Sequence, residues 1–150
     1  MAGTNRACLD RIFDRRAICP SESYRSTRNA RGEMGCASYT RALAERACFD
    51  CHSNETTWRW FDDIAPVSWY VANHINDGRR ALNFSLWDQP NASFEEVGRT
   101  IKNDKMPLWD YLLLHPNAKL TADEKSALLS GLQATFQQDA PIPRPQRTGE

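Results

Sequence analysis

Cys48-Phe49-Asp50-Cys51-His52 sets two cysteines three positions apart and places a histidine directly after the second. This spacing is the attachment signature of a c-type haem. Two thiols on one turn of chain can each add to one of the two vinyl groups on a single porphyrin edge. The next residue then lies under the iron, where its imidazole supplies the proximal ligand. Other uses of Cys-x-x-Cys fit less well. A zinc site on Cys48, Cys51 and His52 needs a second set of ligands at ordered spacing, and Cys8, Cys19 and Cys36 are singletons. A thioredoxin-like redox pair belongs in a βαβ context, and no strand pattern is present.

Working outward from the pentapeptide, the flanking sequence reads as helices. Tyr39, Leu43 and Ala47 fall at i, i+4 and i+8, with Ser38 as N-cap, so a short helix from residue 38 delivers the chain into Cys48. After a turn at residues 53–56, Trp58, Trp60 and Phe61 form an aromatic cluster expected to serve as core or as a wall of the cofactor crevice. Pro66 opens the next helix. Its apolar stripe is Val67, Val71, His74, Ile75 and Gly78, with Gly78 as its expected end. Leu82 to Trp87 is a mixed apolar loop. Ser93 and Glu96 make a capping box for a helix running to about Asp104. Lys105-Met106-Pro107 breaks it, residues 108–114 are apolar, and His115-Pro116-Asn117 turns the chain. Thr121 and Glu124 form a second capping box, and Leu128, Leu132 and Phe136 give the last helix one apolar face. Gly131 inside that helix costs roughly 1 kcal/mol against alanine, so it implies close approach by another helix, the first one. The fold class is therefore all-α.

Composition bounds the rest. The 150 residues suit one domain with loose ends. Residues 1–37 read as an N-terminal leader expected to be flexible, since residues 1–35 hold seven arginines, no lysine and no sustained period. A Cys8–Cys19 disulfide is conceivable there, with Cys36 left over. Residues 38–136 form the cofactor domain, and residues 137–150, with Pro141, Pro143 and Pro145, form a flexible tail. Formal net charge is zero, which gives no case for nucleic acid or an anionic membrane surface as partner. Mean hydropathy is −0.65, and no apolar run is long enough to cross a bilayer. No signal-peptide core is visible, although covalent haem attachment normally takes place outside the cytoplasm.

The order of parts resembles the class I cytochrome c arrangement. In detail, Ala47 to Thr56, Ile64 to Trp69, Leu82 to Trp87, Met106-Pro107 and Tyr111 to Pro116 resemble the bacterial haem-binding domain family with a Cys-x-x-Cys-His motif, over roughly residues 38–136. The resemblance implies a small helical domain wrapped around one covalently bound haem c, in an exported or periplasmic protein. It also implies Met106 as distal iron ligand, since class I cytochromes place a methionine in a similar loop. His74, on an apolar helix face, is the alternative ligand; His115, before a proline in a turn, reads as a surface or capping residue. Arg79, Arg80, Arg59 and Trp87 are candidate donors to the haem carboxylates, Arg79 first.

Three functions compete at this point. The first is a one-electron carrier with six-coordinate iron, partnered by a redox protein and not an enzyme. The second is a sensor or peroxidase-like protein with an open distal site, with His74 as its candidate acid–base residue. The third is the zinc module.

Overall fold

The computed structural model describes residues 36–144. The expected leader and the Cys8–Cys19 pairing lie outside the described residues, as does the end of the tail. Among the described residues six α-helices run in order: α1 Cys36–Ala47, α2 Phe49–His52, α3 Val67–Ala81, α4 Phe94–Lys102, α5 Trp109–Leu114 and α6 Ala122–Gln138. Short 3-10 turns occupy Trp60–Asp63 and Pro116–Ala118. The described residues hold no strand, only one isolated parallel bridge between Asn91 and Pro143, so the all-α expectation holds.

The periodic faces become the core. Leu43 and Ala47 of α1 pack with Leu128, Leu132 and Phe136 of α6. The two helices cross at Gly131, where a Cβ would overlap the Thr40 side chain, which is why that position tolerates no side chain. The Cys48 N–H donates to Ala44 O at 2.8 Å, so α1 passes almost without interruption into the motif turn α2. Phe49 fills the core between the two cysteines and stacks on Phe84 with centroids 5.2 Å apart.

Four expectations are corrected. First, α1 already includes Ser38, which is therefore not its N-cap. Second, α3 does not end at Gly78. It runs on to Ala81, and Gly78 is buried because α3 passes so close to the motif that a Cβ there would sit 2.5 Å from Cys51 O. Third, the Ser93 box is half formed. Ser93 Oγ accepts from the Glu96 N–H at 3.3 Å, but Glu96 Oε1 pairs with Arg144 at 2.6 Å. The Thr121–Glu124 box is complete. Fourth, the segment after α6 is pinned as far as Arg144. Asn91 N–H donates to Ile142 O, Arg144 N–H donates to Asn91 O, and Trp87 Nε1–H donates to Asp139 O.

The loop from Leu82 to Trp87 threads the core, and its polar groups must therefore be paired. Asn83 N–H donates to Asn91 Oδ1, Ser85 N–H to Asn83 Oδ1, and Phe84 N–H to His52 O. This buried loop forms the seat of the motif histidine.

Candidate functional site

Two adjoining cavities reach Cys51 of the motif. The smaller, of about 280 Å³, is lined by Cys48, Cys51, His52, His74, Met106 and Tyr111, among others. The larger, of about 680 Å³, continues past Cys51 between α3 and α5. Both volumes are on the scale of small-molecule and cofactor sites. The larger one explains the under-burial of α3. Val67, Val71, His74 and Ile75 of its apolar stripe line that space; Val67 is 37% exposed, and only Ile75 and Gly78 are buried.

His52 is oriented by the loop beneath it. Its Nδ1 lies 3.0 Å from Leu82 O. A carbonyl only accepts, so Nδ1 carries the proton and Nε2 is the nitrogen left for a metal; a backbone carbonyl behind the ring is a common partner of ligating histidines. Burial lowers the affinity of this ring for a second proton, with the Leu82 and Gly78 carbonyls partly opposing. The imidazole is thus held neutral, the form that binds metal.

The two thiols are free and half-buried. Burial, then the neighbouring Cys51, pushes Cys48 up to about 12. Burial, then Asp50 and Asp110, pushes Cys51 up to about 11, with Arg79 partly opposing. Both are therefore S–H groups at neutral pH. That is opposite to the depressed pKa of a dithiol redox centre. No group of three or more His, Cys, Asp or Glu side chains among the described residues is placed to hold a metal ion, which leaves the zinc module without a donor set there.

The other predicted residues divide. Met106 lines the smaller cavity, and His74 lines both. The His74 ring sits 4.2 Å from that of Tyr70, whose hydroxyl donates to Asp110. Arg79 clamps the turn after the motif, with Nε donating to Ser53 O at 2.9 Å and Nη2 to Thr56 Oγ1 at 3.0 Å. Arg80 pairs with Asp77 on the surface. Arg59 Nε donates to His115 Nε2 at 2.7 Å, and His115 Nδ1 bonds Tyr111 O at 2.9 Å. With both ring nitrogens hydrogen-bonded, His115 caps α5. Trp87 is 4% exposed, donates its indole N–H to Asp139 O, and packs edge-on to Phe136 in the core; it lines neither cavity. Of the aromatic cluster, only Phe61 lines the larger cavity, while Trp58 and Trp60 face outward, Trp60 at 78% exposure.

Sequence reasoning missed Asp50, Gly78, the Leu82 carbonyl and Tyr111. Gly78 carried a signal, since a glycine followed by three more helical residues marks a close approach. Tyr111 carried none, because its partner Asp50 is 61 positions away.

An all-α domain with an apolar cavity opening on a Cys-x-x-Cys-His turn, whose histidine is neutral and oriented from behind, has the makings of a haem protein. The chain belongs to the haem-binding domain family, whose model matches residues 19–134. That match begins within the stretch expected as leader. No match was found among curated proteins or among solved structures. No helix among the described residues is long and apolar enough to cross a membrane.

Proposed function

We propose that this haem-binding domain is a c-type cytochrome that carries single electrons, with Cys48 and Cys51 in thioether bonds to haem and with His52 and Met106 as axial ligands. One observation carries the reading: Cys48, Cys51, His52 and Met106 all line the same small cavity. Haem supplies a reversible one-electron couple at its iron when bound. The protein's own residues do the rest. Cys48 and Cys51 would hold the haem covalently through their sulfurs, each thiol supplying one thioether bond to a vinyl group. Leu82 O holds the His52 ring in the metal-binding tautomer. The stripe of α3 and the side chains of Phe61, Leu108 and Leu114 give the larger cavity the apolar lining that would shield a bound haem from water. Met106 would supply a thioether ligand, which favours the reduced state and raises the potential. Arg79 donates to Ser53 and Thr56 and lines neither cavity, so its part in this reading is to hold the motif turn. Haem loading of this kind takes place outside the cytoplasm, so the protein is proposed to be exported or periplasmic and to meet a redox partner protein there.

Acid–acetone extraction followed by intact mass should leave the chain heavier by one haem. Free extraction of the haem would refute thioether attachment. Met106→Ala should abolish the long-wavelength sulfur-to-iron band of the oxidised protein, lower its potential and admit carbon monoxide or cyanide.

A second reading follows from His74, which lines both cavities beside the Tyr70–Asp110 pair. There His74 is the distal group of an iron that binds peroxide or a small gas. Rapid carbon monoxide binding by the unmodified protein, or changes in spectrum and potential in His74→Ala but not Met106→Ala, would favour it.

A further inference from the structure

The wall that carries Met106 is thinly attached. Helix α5 follows Met106-Pro107-Leu108 and has no buried residue; Trp109 is 74% exposed and Leu113 70%. Apolar burial is the main source of attachment between elements, and α5 has little of it. Polar side-chain bonds therefore matter unusually here. Three join residues 109–115 to the rest of the site: Tyr70 to Asp110, Arg59 to His115, and Tyr111 to Asp50. The first two are exposed, where water and salt screen such contacts to little net value. The third is part-buried, at 2.7 Å, and its acceptor is a carboxylate, the stronger class of hydrogen bond.

The acceptor is itself held. Asp50 is the second of the two residues between the motif cysteines. Its Oδ1 accepts the Thr57 N–H at 3.0 Å, its backbone carbonyl accepts Thr56 Oγ1–H at 2.7 Å, and Thr56 is in turn bonded by Arg79. The donor is held too, since the Tyr111 ring stacks on His115 with centroids 4.0 Å apart and an interplanar angle of 10°. Tyr111 and Asp50 both line both cavities.

We infer that Tyr111 is a positioning residue: its hydroxyl, bonded to Asp50 inside the motif, clips the Met106 wall to the turn that carries Cys51 and His52. The inference rests on the proposed reading of Met106 as axial ligand. Burial first, then the bond to Asp50, keeps the phenol protonated far above neutral pH, so the donor is always available. The clip holds Met106 at the cavity, and its loss frees the wall to swing away and admit other ligands.

Tyr111→Phe keeps the ring and removes only the donor. In the haem-loaded protein, the ferric form should bind imidazole about 10- to 100-fold more tightly, the factor a hydrogen bond to a charged group supplies, with a weakened sulfur-to-iron band. Tyr70→Phe, which removes an exposed bond, should change imidazole affinity by less than about threefold. Backbone hydrogen exchange over residues 106–115 should speed by about tenfold or more in Tyr111→Phe, with exchange in α6 unchanged. Unchanged imidazole affinity in a protein that Met106→Ala shows to be methionine-ligated would overturn the clip alone. If Met106→Ala shows another ligand, the axial assignment fails, and exchange over 106–115 still decides: faster exchange confined to that wall upholds the clip, unchanged or uniformly faster exchange rejects it.

Discussion

Replacing Gly78 with alanine should weaken the protein at its haem motif, against the ordinary rule for glycine in a helix. At an open helix position this change gains about 1 kcal/mol. At Gly78 the new Cβ would lie 2.5 Å from Cys51 O, 3.1 Å from Cys51 C and 3.2 Å from Cys51 Cβ. The obstacle is mostly backbone, and it cannot turn aside as a side chain can. It is also held in place, since Cys51 N–H and His52 N–H both donate to Cys48 O. Overpacking of a tight site costs typically 1–3 kcal/mol, and a backbone obstacle belongs near the top of that range. Setting about 3 kcal/mol against about 1 leaves a net loss of about 2 kcal/mol. For a domain of this size that lowers Tm by about 6–9 °C. The assay is thermal and denaturant unfolding of the haem-loaded variant, together with the fraction of chain that acquires haem, because relief of the clash displaces the Cys51 turn. Gly98→Ala is the internal control. Its nearest neighbours, Leu129 Cδ2 and Phe94 Cζ, would lie at 3.7 Å, an ordinary contact, so it should be neutral or gain up to about 1 kcal/mol. A Gly78→Ala protein as stable and as fully loaded as its parent would refute the close-approach argument.

Trp87→Phe should cost about 2–4 kcal/mol, from the lost bond to Asp139 O and the space left beside Phe136. The haem spectrum and potential should stay unchanged; a shifted potential would return Trp87 to the cofactor. The Glu124 carboxyl is held below its ordinary 4.5, chiefly by the Thr121 N–H it accepts and then by Arg46. Its folded-state affinity for protons is thus the weaker one. The stability it contributes is present above pH 4.5 and is lost as pH falls through the lower folded value. Urea midpoints measured from pH 6 down to pH 2 should therefore fall less steeply for Glu124→Gln, which keeps a capping side chain; parallel slopes would show that the pair contributes nothing.

The parts of this protein governed by near neighbours in sequence were legible without a structure. The Cys-x-x-Cys-His candidate reads from five residues, because the spacing of two thiols and an imidazole is local. The faces of α1 and α6 read from a 3.6-residue period, and their crossing at Gly131 reads from a glycine that helix propensity disfavours. The Thr121 box reads from two residues three apart, and its partners are each other. Where the readings missed, a distant competitor had intervened. Glu96 would have completed the Ser93 box, but Arg144, 48 positions on, takes its carboxylate. Trp87 has the chemistry of a carboxylate donor, but the chain after α6 brings Asp139 O to it first.

What the sequence by itself determined is the all-helical class, because capping boxes and apolar stripes follow from spacing along one helix; His74 was singled out by its place on such a stripe, and Met106 by the resemblance to class I cytochromes. What only the tertiary structure decided is which groups share a cavity and which are occupied elsewhere. The Leu82 carbonyl fixes the tautomer of a histidine 30 positions earlier, Gly78 makes room for the motif turn, and Tyr111 reaches Asp50 across the site. These are contacts between segments far apart in the chain, and a hydrogen bond or a close approach exists only once both partners have been placed.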